Sequence, residues 1–127
     1  MKVILDTNFL MAPFLYKIDV LKEMRELLRG HIELETPSTA ATELSRLSEG
    51  KGRWAPAASA ALKWLKKLAA EKRIKIIQTS INVDRWIFLS AGEGSVVCTS
   101  DKALRKSLKI KRVKTITIRA RKKLFYS

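Results

Sequence analysis

Three consecutive apolar residues of β-forming type, Val3-Ile4-Leu5, break off into Asp6-Thr7-Asn8. This stretch limits what the chain can become. Apolar side chains on consecutive rather than alternating positions predict a strand covered on both faces, as in the middle of a parallel sheet. Open parallel sheets bind their ligands just past the carboxyl ends of the strands, and Asp6 stands at that place. A second stretch repeats the arrangement, where Val96-Val97-Cys98 runs into Thr99-Ser100-Asp101.

The intervening pattern alternates strands with helices. Strands are expected at residues 3–5, 32–36, 74–77, 95–99 and 115–118. Phe9 to Tyr16 contains Pro13 and is expected to form a short helical turn or loop rather than a long helix. A helix begins at Asp19, carries Val20, Leu21, Met24, Leu27 and Leu28 as a stripe, and ends at Gly30 in a left-handed cap. His31 reads as a loop residue. Pro37 is expected as the first residue of a helix reaching about Ser48, and Pro56 opens a long helix with Ala58, Ala61, Leu62, Leu65 and Ala69 inward. The helix over 83–91 places Asp84 on one face with Ile87, Phe88 and Ala91, and a short basic helix carries Ala103, Leu104 and Leu108. Residues 119–127 read as a basic tail. Alternating strands and helices imply right-handed crossovers and an α/β fold, a parallel sheet between two helical layers. Periodicity does not give the strand order.

With 127 residues the chain suits one domain, spanning 1–127. No segment has the length of a membrane span, and no export signal pattern opens the chain. One cysteine, Cys98, excludes an intrachain disulfide framework and a cysteine zinc cluster; a reducing cytoplasm is the expected setting. The charge is more telling. Lys and Arg total 26 against 12 Asp and Glu, a net of +14, which favours a polyanionic partner such as nucleic acid. The excess is uneven: residues 102–127 hold eleven Lys or Arg and no acid.

Against that background four acids stand out. Asp6 and Asp101 follow strands. Glu43 lies about 40° around its helix from Leu47, on the edge of the buried stripe; it is either a site carboxylate or a surface charge reaching past the stripe. Asp84 heads a helix, and the alternative there is a cap. Facing one another, four carboxylates would repel unless a divalent cation were bound. Oxygen ligands without His or Cys select Mg²⁺ or Mn²⁺. Such a cluster under a basic rim suits phosphodiester hydrolysis. The loop from Glu49 to Trp54 carries Lys51 and Arg53; Trp54 either packs on the following helix, the commoner arrangement, or stacks on a base.

These pieces together resemble the PIN domain, a family of metal-dependent ribonucleases. The matching segments are Val3-Ile4-Leu5-Asp6-Thr7-Asn8, then Thr36-Pro37-Ser38 followed by Glu43-Leu44, then Asp84 with Ile87, and finally Val97-Cys98-Thr99-Ser100-Asp101-Lys102-Ala103-Leu104-Arg105. They keep family order and span residues 3–118. The basic C-terminal part is similar to archaeal members related to the small-subunit ribosomal RNA processing nuclease. The resemblance implies a five-stranded parallel sheet of order 3-2-1-4-5, with Asp6 and Asp101 across one crevice. It implies that Asp6, Glu43, Asp84 and Asp101 bind one or two Mg²⁺ or Mn²⁺ ions. Thr7, Asn8, Thr99 and Ser100 would orient ligands or water, and Lys51, Arg53, Arg85, Lys102 and Arg105 would contact RNA. Products with 5′-phosphate and 3′-hydroxyl ends are implied as well. Many relatives have a second Asp where this chain has Arg85, which puts a two-metal site in question. The activity would serve RNA processing or a toxin–antitoxin pair, with ribosome-assembly factors or an acidic antitoxin as partners and a homodimer as a further expectation. The alternatives are a PIN module that holds RNA without cutting and a non-nucleolytic doubly wound domain. The latter is disfavoured because no glycine-rich phosphate loop follows the first strand.

Overall fold

The computed structural model describes residues 1–119 and 123–127. Its sheet is built around β1 (Lys2–Leu5), in which Val3, Ile4 and Leu5 are each at most 1% exposed. Successive strand residues point to opposite faces, so both faces of β1 are covered. On one side β1 pairs with β2 (Glu33–Pro37), and on the other with β4 (Val96–Cys98). Outside these lie β3 (Lys75–Ile77) and β5 (Lys114–Arg119), all parallel. The resulting order β3-β2-β1-β4-β5 is the one the family resemblance implies.

The described residues add a sixth strand. β6 (Lys123–Tyr126) runs antiparallel to β5, pairing Ile118 with Leu124 and Ile116 with Tyr126. The expected tail is therefore a sheet edge from Lys123 onward, and residues 120–122 of it lie outside the described residues. Leu124 is 1% exposed, and its amide donates to Glu23 Oε1 at 3.1 Å, so the strand also closes over α2 (Val20–Leu27). Leu124→Ala should cost about 2 kcal/mol in denaturant unfolding, the low end for a buried leucine because it lies on an edge strand. A disordered tail would give no change.

Helix α1 (Thr7–Tyr16), ten residues long, is longer than the short helical turn or loop expected over Phe9 to Tyr16. Its seventh residue is Pro13, which removes a backbone bond and disfavours a helix by about 3 kcal/mol. Phe9, Leu10 and Met11 are each at most 1% exposed. Burying three such side chains contributes about 1.5–3 kcal/mol each, enough to outweigh the proline. The Asp6 side chain also caps the helix, its Oδ1 accepting from the Phe9 amide at 2.8 Å.

Smaller shifts occur elsewhere. Pro37 ends β2 and stands just before α3 (Ser38–Ser48), instead of opening that helix. Helix α4 (Trp54–Ala70) starts two residues before Pro56 and takes Trp54 into its first turn. Gly30 has the expected positive φ of 89°, two residues beyond the Leu28 cap of α2. Helices α1, α3 and α4 pack on one another, with Phe14 edge-on to Trp64 at 5.9 Å. Helix α5 (Val83–Ser90) packs on α6 (Lys102–Ile110), and Lys111 Nζ ties them by donating to the Phe88 and Ala91 carbonyls. None of the described helices is long and apolar enough to cross a membrane.

Candidate active site

The site is assembled where β1 and β4 lie side by side. Leu5 is in register with Cys98, and the Asp6 amide donates to the Cys98 carbonyl at 3.2 Å. The next residues of the two strands, Asp6 and Thr99, are therefore neighbours. Thr36 on β2 fixes the other side of β1, its hydroxyl donating to the Leu5 carbonyl at 2.8 Å. A backbone bond to β4 and a side-chain bond from β2 to the preceding residue thus hold Asp6 in place.

Thr99, fully buried, links the two aspartates. Its hydroxyl accepts from the Asp101 amide at 3.2 Å and hydrogen-bonds the Asp6 carboxylate. Asp101 begins α6 as Asp6 begins α1, with Oδ1 accepting from the Leu104 amide at 2.8 Å. Each aspartate is thus a helix cap and a site residue at once; one oxygen serves the cap and the second remains for other work. On the far wall, Thr7 donates to Glu43 Oε2 at 2.7 Å. Glu43 is half-buried, as its place on the edge of the α3 stripe predicts.

Asp84 departs from expectation. The buried face of α5 is Val83, Trp86 and Ile87, while Asp84 and Phe88 are exposed. Nor does Asp84 cap the helix, because Asn82 does, its Oδ1 accepting from the Arg85 amide at 3.0 Å. A first-turn acid relieved of capping is open to other contacts.

The carboxylates feel one another. Burial pushes Asp6 up to about 6 from the ordinary 3.8; the Thr99 and Phe9 hydrogen bonds pull it down, and the charges of Asp84 and Asp101 push it further up. Asp84 is also raised, by partial burial of its carboxyl although the residue is open to solvent, then by the charges of Asp101 and Glu43. All four acids therefore belong to one electrostatic group. Among the described residues no three Asp, Glu, His or Cys side chains already form a metal cage. The donor set still fits a hard divalent cation: it is all oxygen, it is mutually repulsive, and the ionised form of its most buried member carries a cost that a bound positive charge would offset. Cys98 beneath it is buried, and burial followed by the Asp6 charge pushes its thiol well above the ordinary range, so it is no nucleophile.

The remaining predicted residues divide into two groups. Asn8 and Ser100 line a cleft of about 330 Å³ beside the acids. Ser100 Oγ also accepts from the Ile118 amide at 3.2 Å, so it ties β5 to the site. Lys102 and Arg105 line a second groove of about 750 Å³, where Lys106, Lys109 and Arg112 join them. Lys114 and Arg119 of β5 face the same groove. Along α6 the spacing 102, 105, 106, 109 is one helical face. That spacing was legible in the sequence, although only its first two members were singled out there. Lys51, Arg53 and Arg85 are exposed and line neither cleft.

A parallel sheet in this order, carrying acids at its central switch point, is the architecture of the PIN fold. The chain belongs to the PIN like domain family, whose model matches residues 3–121. Among solved structures, the fold is similar to that of the PIN domain endonuclease Utp24. The TM-score is 0.74 at 21% sequence identity, covering 99% of this chain and 90% of that one. Comparison with curated protein sequences gives no match.

Proposed function

We propose that the protein is a metal-dependent endoribonuclease that hydrolyses RNA phosphodiester bonds during RNA processing. The observation that carries this reading is the coupling of four carboxylates around the β1–β4 switch point, with a groove lined by seven Lys and Arg that starts at Lys102, the residue after Asp101. Asp6, Glu43, Asp84 and Asp101 would hold Mg²⁺ or Mn²⁺. When bound, such an ion lowers the pKa of a water and offsets charge on the scissile phosphate. The chain's other residues prepare that step. Thr99 fixes the Asp6 carboxylate between two strands, and Thr7 fixes Glu43; partners of this kind set the orientation of metal ligands. Arg85, next to Asp84, adds a cation where many relatives have an acid. The similar fold belongs to an endonuclease, which agrees with internal cleavage, and the whole chain would act as one nuclease unit.

The groove supplies the RNA contacts. Arg105 is half-buried and lines this groove beside Lys102, Lys106 and Lys109. A guanidinium there would pair with a backbone phosphate passing along the groove. Arg105→Ala should weaken single-stranded RNA binding and reduce the slope of log K against log[salt] by about 0.7, the value for one phosphate contact. Titrations at several salt concentrations measure both, and an unchanged slope would remove Arg105 from the RNA path. The nuclease reading itself is tested by mapping new RNA ends in cells expressing wild type beside Asp101→Asn. Internal 5′-phosphate ends specific to wild type support it; tight RNA binding without new ends would make the protein a holding module.

A further inference from the structure

We propose that the cleft beside the carboxylates is a stacking subsite for one nucleobase of single-stranded RNA, with Trp54 as its platform. The proposal rests in part on the RNA reading above. The cleft is lined by the apolar or aromatic Phe9, Leu15 and Tyr16 of α1, Trp54 at the start of α4 and Ile118 of β5, together with the polar Asn8 and Ser100. Asn8 lies two residues after Asp6, and Ser100 immediately precedes Asp101. The cleft therefore opens where a nucleotide next to the scissile phosphate would pass. The other two tryptophans are accounted for by packing: Trp86 is 7% exposed, and Trp64 is half-buried against Phe14. Trp54 is 42% exposed. A rigid ring exposed in a mainly apolar cleft that also carries polar groups matches a nucleobase, which has two π faces and a hydrogen-bonding edge. The Asn8 side chain offers both donor and acceptor, and among the described residues no hydrogen bond engages it. A volume of about 330 Å³ is that of a small-ligand cleft. A second copy of the chain would need a broad contact of about 800 Å² per partner, and a recessed cleft does not offer one. The net charge of +14 favours a ligand carried on a phosphate chain.

The test uses the full chain with EDTA, so that binding is read without cleavage. A short oligoadenylate should quench tryptophan fluorescence, whereas inorganic polyphosphate, which has charge but no bases, should not. Trp54→Ala should abolish the quench and raise the oligoadenylate Kd about tenfold or more, within the range for loss of one stacked base. Trp54→Phe keeps a stacking ring and should retain most of the affinity, which separates stacking from any loss of structure in the alanine variant. The proposal is overturned by an unchanged Kd in Trp54→Ala, by equal quenching with polyphosphate, or by sedimentation showing that Trp54→Ala dissociates a dimer. Quenching that persists in a protein unable to cut RNA would sink the nuclease reading and leave the subsite standing.

Discussion

Asp6→Asn is expected to abolish RNA cleavage while making the metal-free protein more stable. The two effects share one cause. Asp6 is 5% exposed, and its carboxyl is pushed up to about 6 from 3.8. At neutral pH the folded protein holds this group ionised against burial and against Asp84 and Asp101, whereas the unfolded chain ionises it freely. The difference corresponds to on the order of 3 kcal/mol, as an upper bound on what removing the charge returns. Asparagine keeps the oxygen that accepts from the Phe9 amide, so the cap of α1 survives. It cannot supply a charged ligand. Losing a group that merely orients a metal ligand typically costs 10–100-fold; losing the ligand should cost more than about a hundredfold in Mn²⁺-dependent cleavage. Asp101→Asn should cut cleavage comparably. A melting curve and a cleavage assay on one preparation decide the matter. A lower Tm would mean that lost activity reflects lost structure, and wild-type cleavage in both variants would place the chemistry elsewhere.

The double duty of Asp6 also explains what was legible in the sequence. An apolar run breaking off into Asp-Thr-Asn marks a strand buried on both faces and an acid at its end, and the run at Val96 marks its neighbour. Both readings rest on side-chain chemistry within six residues, and the strands lie where expected. Strand order depends on contacts far apart in the chain and came only from the family resemblance. The full length of helix α1 was hidden because Pro13 is a local penalty, while the compensation, burial of Phe9, Leu10 and Met11, is tertiary. β6 was hidden because an edge strand needs only one buried side chain, and Leu124 sits among exposed Lys123, Phe125 and Tyr126. Of the face expected to carry Asp84, Ile87 and Ala91 are buried, whereas Asp84 and Phe88 are exposed because the buried face is centred on Val83, Trp86 and Ile87. Thr99 is marked as an orienting residue only by the family resemblance; its link to both aspartates has no local signal, since it depends on β1 and β4 stopping in register.

Metal ions should stabilise the protein strongly at pH 8 and little at pH 5. For an acid whose folded pKa is raised, the folded state binds more protons than the unfolded state between the two pKa values. For Asp6 that window runs from 3.8 to about 6. Its contribution to stability is therefore fully present below the window and lost as pH rises through it, on the order of 3 kcal/mol in all. The shift of Asp84 has the same sign and adds to the loss. Other carboxylates titrate nearby, so the quantity to measure is the difference in unfolding free energy between wild type and Asp6→Asn, in EDTA, from pH 4 to 8. That difference should grow in favour of the variant across the window and level off above pH 7. A divalent cation binds the ionised carboxylates of the folded state and stabilises it by RT ln(1 + [M]/Kd). Below the window it must first displace the Asp6 proton, and its effect shrinks. Millimolar Mn²⁺ should thus raise the wild-type Tm at pH 8, leave it nearly unchanged at pH 5, and do less for Asp6→Asn at either pH. Equal shifts at both pH values, or equal shifts in both proteins, would show that the ion binds away from Asp6. The expected pattern would tie the strain of a buried, raised carboxylate to the ion that relieves it, which is the physical reason for an acid to stand at the end of a strand as apolar as β1.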